Sequence, residues 1–221
     1  MQVSLTASDG NNLLGYFAEP QSAPRAGLVV IQEIFGVNHH IRNVTDKFAA
    51  DGYAAVAPAL FDRVGPDIQL GYEADDIAKG RELRGKIENA DALKDVQAAI
   101  DLMLGHNLKV GVVGYCWGGS LAWHAATKLK GVSAAVSYYG GEVPNHADAV
   151  AQCPVMAHFG ETDASIPMDG VRSFMAKQPA VQTFVYPAGH GFSCDERGSF
   201  DAACAQQARE RTIAFFREHI G

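Results

Sequence analysis

The sequence predicts an α/β fold, a mostly parallel central sheet with helices on both faces. Three observations lead there. Apolar, β-branched runs such as Leu28-Val29-Val30-Ile31 and Val110-Gly111-Val112-Val113 lack polar alternation, as strands buried on both faces do. Those runs alternate with stretches of helical spacing. Glycine or proline stands at most of the junctions between them.

The chain opens with two alternating segments near residues 3–7 and 13–17. Ser8-Asp9-Gly10-Asn11-Asn12 between them predicts a hairpin. Residues 27–31 form the first buried strand, and Gln32-Glu33-Ile34-Phe35-Gly36 is the loop after it. Residues 41–51 have helical spacing, with Ile41, Val44, Phe48 and Ala49 on one face and Gly52 as the stop. His39 and His40 read as surface or helix-start residues. A strand at 53–57 is halted by Pro58. Residues 58–89 are charged and broken by glycines, and are expected to be an irregular segment with short helical pieces over the site. A helix at 92–104 leads into the strand at 110–113. Further strands are expected at 132–136, 154–159 and 181–186, and helices at 171–177 and 201–219.

With 221 residues the chain suits one domain spanning 1–221. Hydrophobic residues are 48% and charged residues 19%, the balance of a soluble globular chain. The net charge of −7 gives no footprint for nucleic acid. No apolar run reaches membrane-spanning length, and Met1 to Thr6 lacks the pattern of a secretory signal. Cys116, Cys153, Cys194 and Cys204 form no Cys-x-x-Cys, and the eight histidines fall into no metal spacing. A cytoplasmic protein with reduced thiols, no metal and no nucleic-acid or membrane partner is the expectation.

The chemistry centres on Gly114-Tyr115-Cys116-Trp117-Gly118-Gly119. A strand precedes it and a helix follows, as in a nucleophile elbow with a thiol in place of the usual serine. Side chains at 114 and 118 would clash where the helix passes back over the strand. The Trp117 N–H then lies at a helix N-terminus, able to stabilise an oxyanion. A phosphate-binding loop is the rival reading, but Ser120 stands where that loop needs lysine.

In a parallel sheet, ligands gather outside the carboxyl ends of the strands. That rule brings together the loops beginning at Glu33, Cys116, Tyr138, Asp163 and His190. Cys116, Asp163 and His190 follow the order nucleophile, acid, base, which is the order in α/β-hydrolases. His190 can take the thiol proton and Asp163 can orient the imidazole. Asp169 is the fallback acid. His158 reads as a core residue, His124 as an outward residue without a role, and Cys153 and Cys204 as packed.

Gln32-Glu33-Ile34-Phe35-Gly36, the Cys116 elbow, Tyr138-Tyr139-Gly140 and Ala188-Gly189-His190-Gly191-Phe192 together resemble the dienelactone hydrolase family. The resemblance runs over nearly the whole chain. It implies an α/β-hydrolase fold without a large cap domain, a Cys116–His190–Asp163 triad and no cofactor. It further implies that Glu33 interacts with the resting thiol, that the N–H groups of Ile34 and Trp117 form the oxyanion hole, and that the substrate is a small lactone or ester. Phe35, Arg81, Tyr138 and Cys194 are the expected pocket residues, with Arg84 an alternative to Arg81. The best-known members carry serine directly after the catalytic histidine and arginine three residues further. Here those places hold Gly191 and Cys194, which predicts a roomier pocket less selective for anions. Thioester hydrolysis at the same site, a binding protein on a hydrolase-like fold and a redox protein using Cys116 are the competing readings.

Overall fold

The computed structural model describes residues 1–221. Eight strands form one sheet: β1 Gln2–Thr6, β2 Asn12–Ala18, β3 Gly27–Ile31, β4 Ala54–Pro58, β5 Val110–Tyr115, β6 Val132–Tyr138, β7 Val155–Gly160 and β8 Gln182–Tyr186. Their spatial order is β1-β2-β4-β3-β5-β6-β7-β8. The β1–β2 hairpin runs antiparallel, with β2 antiparallel to β4, and every other pairing is parallel. Six helices accompany them: α1 His39–Ala50, α2 Ala74–Arg84, α3 Asn89–Gly105, α4 Trp117–Lys128, α5 Met168–Lys177 and α6 Ala202–His219.

The pleat of β3 shows how the layers are built. Leu28 and Val30 pack in one buried cluster with Phe48 of α1 and Phe216 of α6. Val29 and Ile31, on the opposite face, pack in another with Val96 and Ile100 of α3 and Leu121 of α4. Successive strand residues point to opposite faces, so a strand apolar at every position needs helices on both sides. The caps follow the sequence. Asn38 accepts a hydrogen bond from the Ile41 N–H at the start of α1, and Asp201 does the same for Cys204 at the start of α6.

The segment expected to be irregular contains more helix than its sequence suggests. Residues Leu60–Arg63 make a 3₁₀ turn, and α2 runs for 11 residues. Only Gly80 and Leu83 of α2 are buried, so it has no apolar stripe to read. Its start is fixed by a capping box between Glu73 and Asp76. Its seat is fixed by Gly80, where any side chain would run into the Ile34 carbonyl oxygen. α2 thus lies directly on the loop after β3.

One histidine reading needs correcting. His124 is buried within α4 and not outward, with its Nε2 3.3 Å from Glu142. His39 and His40 do start α1, but only His39 is exposed. His40 is buried, its Nδ1 2.8 Å from Asp195. No helix is long and apolar enough to cross a membrane.

Candidate active site

The elbow has the strained geometry its glycines anticipate. Cys116 caps α4 at φ 56°, ψ −115°, in the left-handed region that side chains rarely adopt. A Cβ on Gly114 would collide with the Gly118 carbonyl, and one on Gly118 with the carbonyls of Ile31 and Gln32. Gly119 lies as tightly against the Tyr138 carbonyl. That carbonyl also accepts the Cys116 N–H at 3.0 Å, which ties the turn to β6. Small residues are required here because three backbone segments pass within touching distance.

Asp163 and His190 come from the loops after β7 and β8. The Asp163 carboxylate is wholly buried, with Oδ2 2.7 Å from His190 Nδ1 and Oδ1 accepting the Ser165 N–H at 2.8 Å. Burial alone would lower the His190 pKa. Its hydrogen bond to Asp163 and the neighbouring Cys116 sulfur outweigh burial and carry it up to about 10. The fallback acid Asp169 is exposed and pairs with Arg172 on its own helix.

Cys116 and His190 open onto a cleft of about 420 Å³. Ile34, Phe35 and Trp117 line it, with Arg81, Arg84 and Arg197 as its cations and Glu142 as its carboxylate. Trp117 stacks against Phe61, and its indole N–H donates to Asn89 Oδ1 at 3.1 Å. Arg84 lies over the Trp117 ring and donates to Glu142 and Asn89. Arg84, with the Asn89 amide and His124, holds Glu142 as a carboxylate. Its pKa falls to about 2, with His124 the largest cause.

Glu33 is completely buried beside this cleft. The resemblance implies a contact with the thiol, but its hydrogen bonds run elsewhere. Tyr72 Oη donates to Oε2 at 3.2 Å and Arg197 Nη1 to Oε1 at 3.4 Å. Arg197 also lies over the Phe35 ring.

Two expected pocket residues lie outside the cleft. The Tyr138 hydroxyl is 2.7 Å from Thr212 Oγ1, and its ring stacks on Tyr115, so the side chain turns into the core. Tyr138 serves the elbow through its backbone. Cys194 is fully buried next to Tyr72 and Glu33, where burial pushes its thiol pKa up to about 12. It does not line the pocket, so the inference from residue 194 to a roomier cleft fails. Phe35 and Arg81 do line it, and Arg81 and Arg84 both face it, so the sequence choice between them was unnecessary.

Glu142 and Tyr72 are absent from the residues the sequence singles out. Glu142 follows Gly140-Gly141 after β6, at the carboxyl end of a strand, where the placement rule could have found it. Tyr72 has no such signal, because its segment carries no periodicity.

A profile of the dienelactone hydrolase family matches residues 13–220. A Synechocystis protein provisionally named carboxymethylenebutenolidase is 37% identical over 94% of this chain and 92% of its own. The carboxymethylenebutenolidase of Pseudomonas putida is 32% identical over 96% of this chain and 94% of its own. Among solved structures, a provisionally named dienelactone hydrolase from Klebsiella pneumoniae superposes with a TM-score of 0.87 at 29% identity, covering 99% of both chains.

Proposed function

The chain belongs to the dienelactone hydrolase family, and on that premise we propose that it opens a lactone or cleaves a small carboxylic ester through an acyl-enzyme on Cys116. One relationship carries this reading. His190 Nδ1 stands 2.7 Å from the buried Asp163 carboxylate, and His190 and Cys116 line the same cleft, which has room for a small ester.

The steps follow from that geometry. His190 takes the thiol proton while Asp163 holds the imidazole and offsets its charge. The sulfur attacks the carbonyl carbon, and the carbonyl electrons move to oxygen. The N–H groups of Ile34 and Trp117 receive that oxyanion, Trp117 being the first residue of α4 and without an intrahelical acceptor for its N–H. Collapse expels an alkoxide, or an enolate from an unsaturated lactone, which takes the proton from the His190 imidazolium. Water, deprotonated by His190, then attacks the thioester and releases the acid and the thiol.

Arg81, Arg84 and Arg197 favour a substrate with a free carboxylate. One charge-assisted hydrogen bond contributes about 1.5–3 kcal/mol, roughly ten- to a hundredfold in kcat/KM. The proposed preference departs from the weaker anion selectivity expected from Gly191 and Cys194. A thioester substrate would use the same steps.

Nitrophenyl-ester turnover tests the reading. Cys116→Ala is expected to abolish turnover with the fold intact, and His190→Ala to lose nearly as much, since such residues act as a unit. Wild-type turnover by Cys116→Ala would reject Cys116 as the nucleophile.

A further inference from the structure

Outside the triad, three ligand-bearing side chains converge at one place: His124 on α4, Glu142 after β6, and His146 at the end of the 3₁₀ turn Pro144–His146. Their ligand atoms all lie within 4.8 Å of one another. The two imidazoles meet edge to face with centroids 4.6 Å apart. We propose that His124, Glu142 and His146 form a binding site for a divalent transition-metal ion, of which Zn²⁺ is the best match.

The donor chemistry favours that class. Two imidazoles and one carboxylate suit Zn²⁺, with a fourth position left for water. Mg²⁺ and Ca²⁺ demand oxygen donors and are disfavoured. Tetrahedral coordination at Zn–N distances near 2.0–2.1 Å places donors about 3.3 Å apart. His124 Nε2 and Glu142 Oε2 already stand 3.3 Å apart. The remaining closure falls to His146, which is exposed on a short turn and free to rotate its ring.

The surroundings are organised as a metal site requires. Ligating carboxylates are oriented by hydrogen bonds of their own. Glu142 accepts from Asn89 at 2.7 Å and from Arg84 at 3.0 Å, and its backbone N–H donates to Ser120 Oγ. The His146 turn is anchored by the Trp123 indole N–H, which donates to the His146 carbonyl at 3.2 Å. His124 is almost fully buried, Glu142 is its one side-chain hydrogen-bond partner, and its Nδ1 has none. His124 thus turns its Nε2 toward Glu142, with the His146 imidazole across from it.

The site also touches the cleft. Glu142 holds Arg84, and Arg84 covers the Trp117 ring. An ion held by Glu142 therefore sits one hydrogen bond away from a cation of the cleft wall.

The test does not depend on hydrolysis. Zn²⁺ is titrated calorimetrically into the full chain carrying Cys116→Ser and Cys153→Ser, which removes the two half-buried thiols that could compete. Co²⁺ absorption reports the donor set. One equivalent of Zn²⁺ is expected, with at least a tenfold loss of affinity in His146→Ala and again in Glu142→Gln. His146 is exposed, so its replacement leaves the fold intact. Absence of stoichiometric binding would overturn the proposal. So would affinity unchanged by His146→Ala, or binding seen only when Cys116 is restored, which would assign the metal to the thiol.

Discussion

The guanidinium of Arg197 fills the space beside Gly191: an ideal Cβ on residue 191 would stand 2.6 Å from Arg197 Nη1. Gly191 also has φ 76°, a conformation that glycine alone adopts freely. The missing side chain next to His190 is therefore what admits an arginine from six residues further along. Gly191→Ser is expected to displace Arg197 from the cleft and to lower stability by about 1–3 kcal/mol from the backbone alone. Unfolding midpoints and ester kinetics would register both effects.

Arg197 should share control of anion preference with Arg81 and Arg84. In matched esters with and without a free carboxylate, the wild type is expected to favour the anionic member by roughly tenfold or more. Arg197→Met should lower that preference, and Arg81→Met should lower it further, while both keep turnover of the neutral ester. Equal wild-type rates for both esters would remove carboxylate recognition from the function.

Glu33 faces the same arginine. Neutralising it in Glu33→Gln leaves the Arg197 charge uncompensated near Cys116, and a nearby cation favours thiolate. The rate of thiol alkylation against pH should therefore shift to lower pH. A profile identical to wild type would place Glu33 outside the control of the thiol.

His158 gives a pH dependence of stability. It is wholly buried in β7, with Nδ1 2.8 Å from Tyr186 Oη and Nε2 3.1 Å from Thr212 Oγ1. Burial, helped by Arg211, presses its pKa from 6.5 down to about 3. Between those values the unfolded chain binds a proton that the folded chain refuses. Stability is thus full above pH 6.5 and declines toward pH 3, by at most ~1.4 kcal/mol per pH unit. His158→Asn should flatten the difference between urea midpoints at pH 7 and pH 5. An undiminished difference would assign the acid sensitivity to other groups.

Arg63 and Asp95 offer a test of burial. Asp95 is fully buried, and Arg63 Nε reaches its Oδ2 at 2.6 Å. Burial raises the Asp95 pKa even with Arg63 in place, so the pair as a whole adds little. Removing one partner is different, because it strands a carboxylate in the core. Arg63→Ala is expected to destabilise by about 3–5 kcal/mol. Arg63→Ala combined with Asp95→Leu should recover part of that loss in denaturant titration.

The strands, the elbow and the order of Cys116, Asp163 and His190 were legible in the sequence because each rests on local chemistry. A strand buried on both faces must be apolar throughout, as in Val110 to Val113. A turn crossed by three backbones must be glycine at 114, 118 and 119. Loops at strand ends inherit their location from the topology, which is why residues 116, 163 and 190 could be gathered without coordinates.

Only the tertiary structure decided where side chains of the irregular regions point. Tyr138 turns into the core because its hydroxyl meets that of Thr212, 74 residues away. Cys194 sinks beside Tyr72 and Glu33, and Arg197 takes the cleft position opened by Gly191. Helix α2 docks through Gly80 on the Ile34 carbonyl, a contact between backbones that no periodicity encodes. His124, Glu142 and His146 meet because an elbow helix, a strand end and a short turn converge. The physical reason is common to all of these. A pattern along the chain records which face of an element is apolar, whereas a loop side chain settles by contacts with residues far away in sequence, and those exist only once the chain has folded.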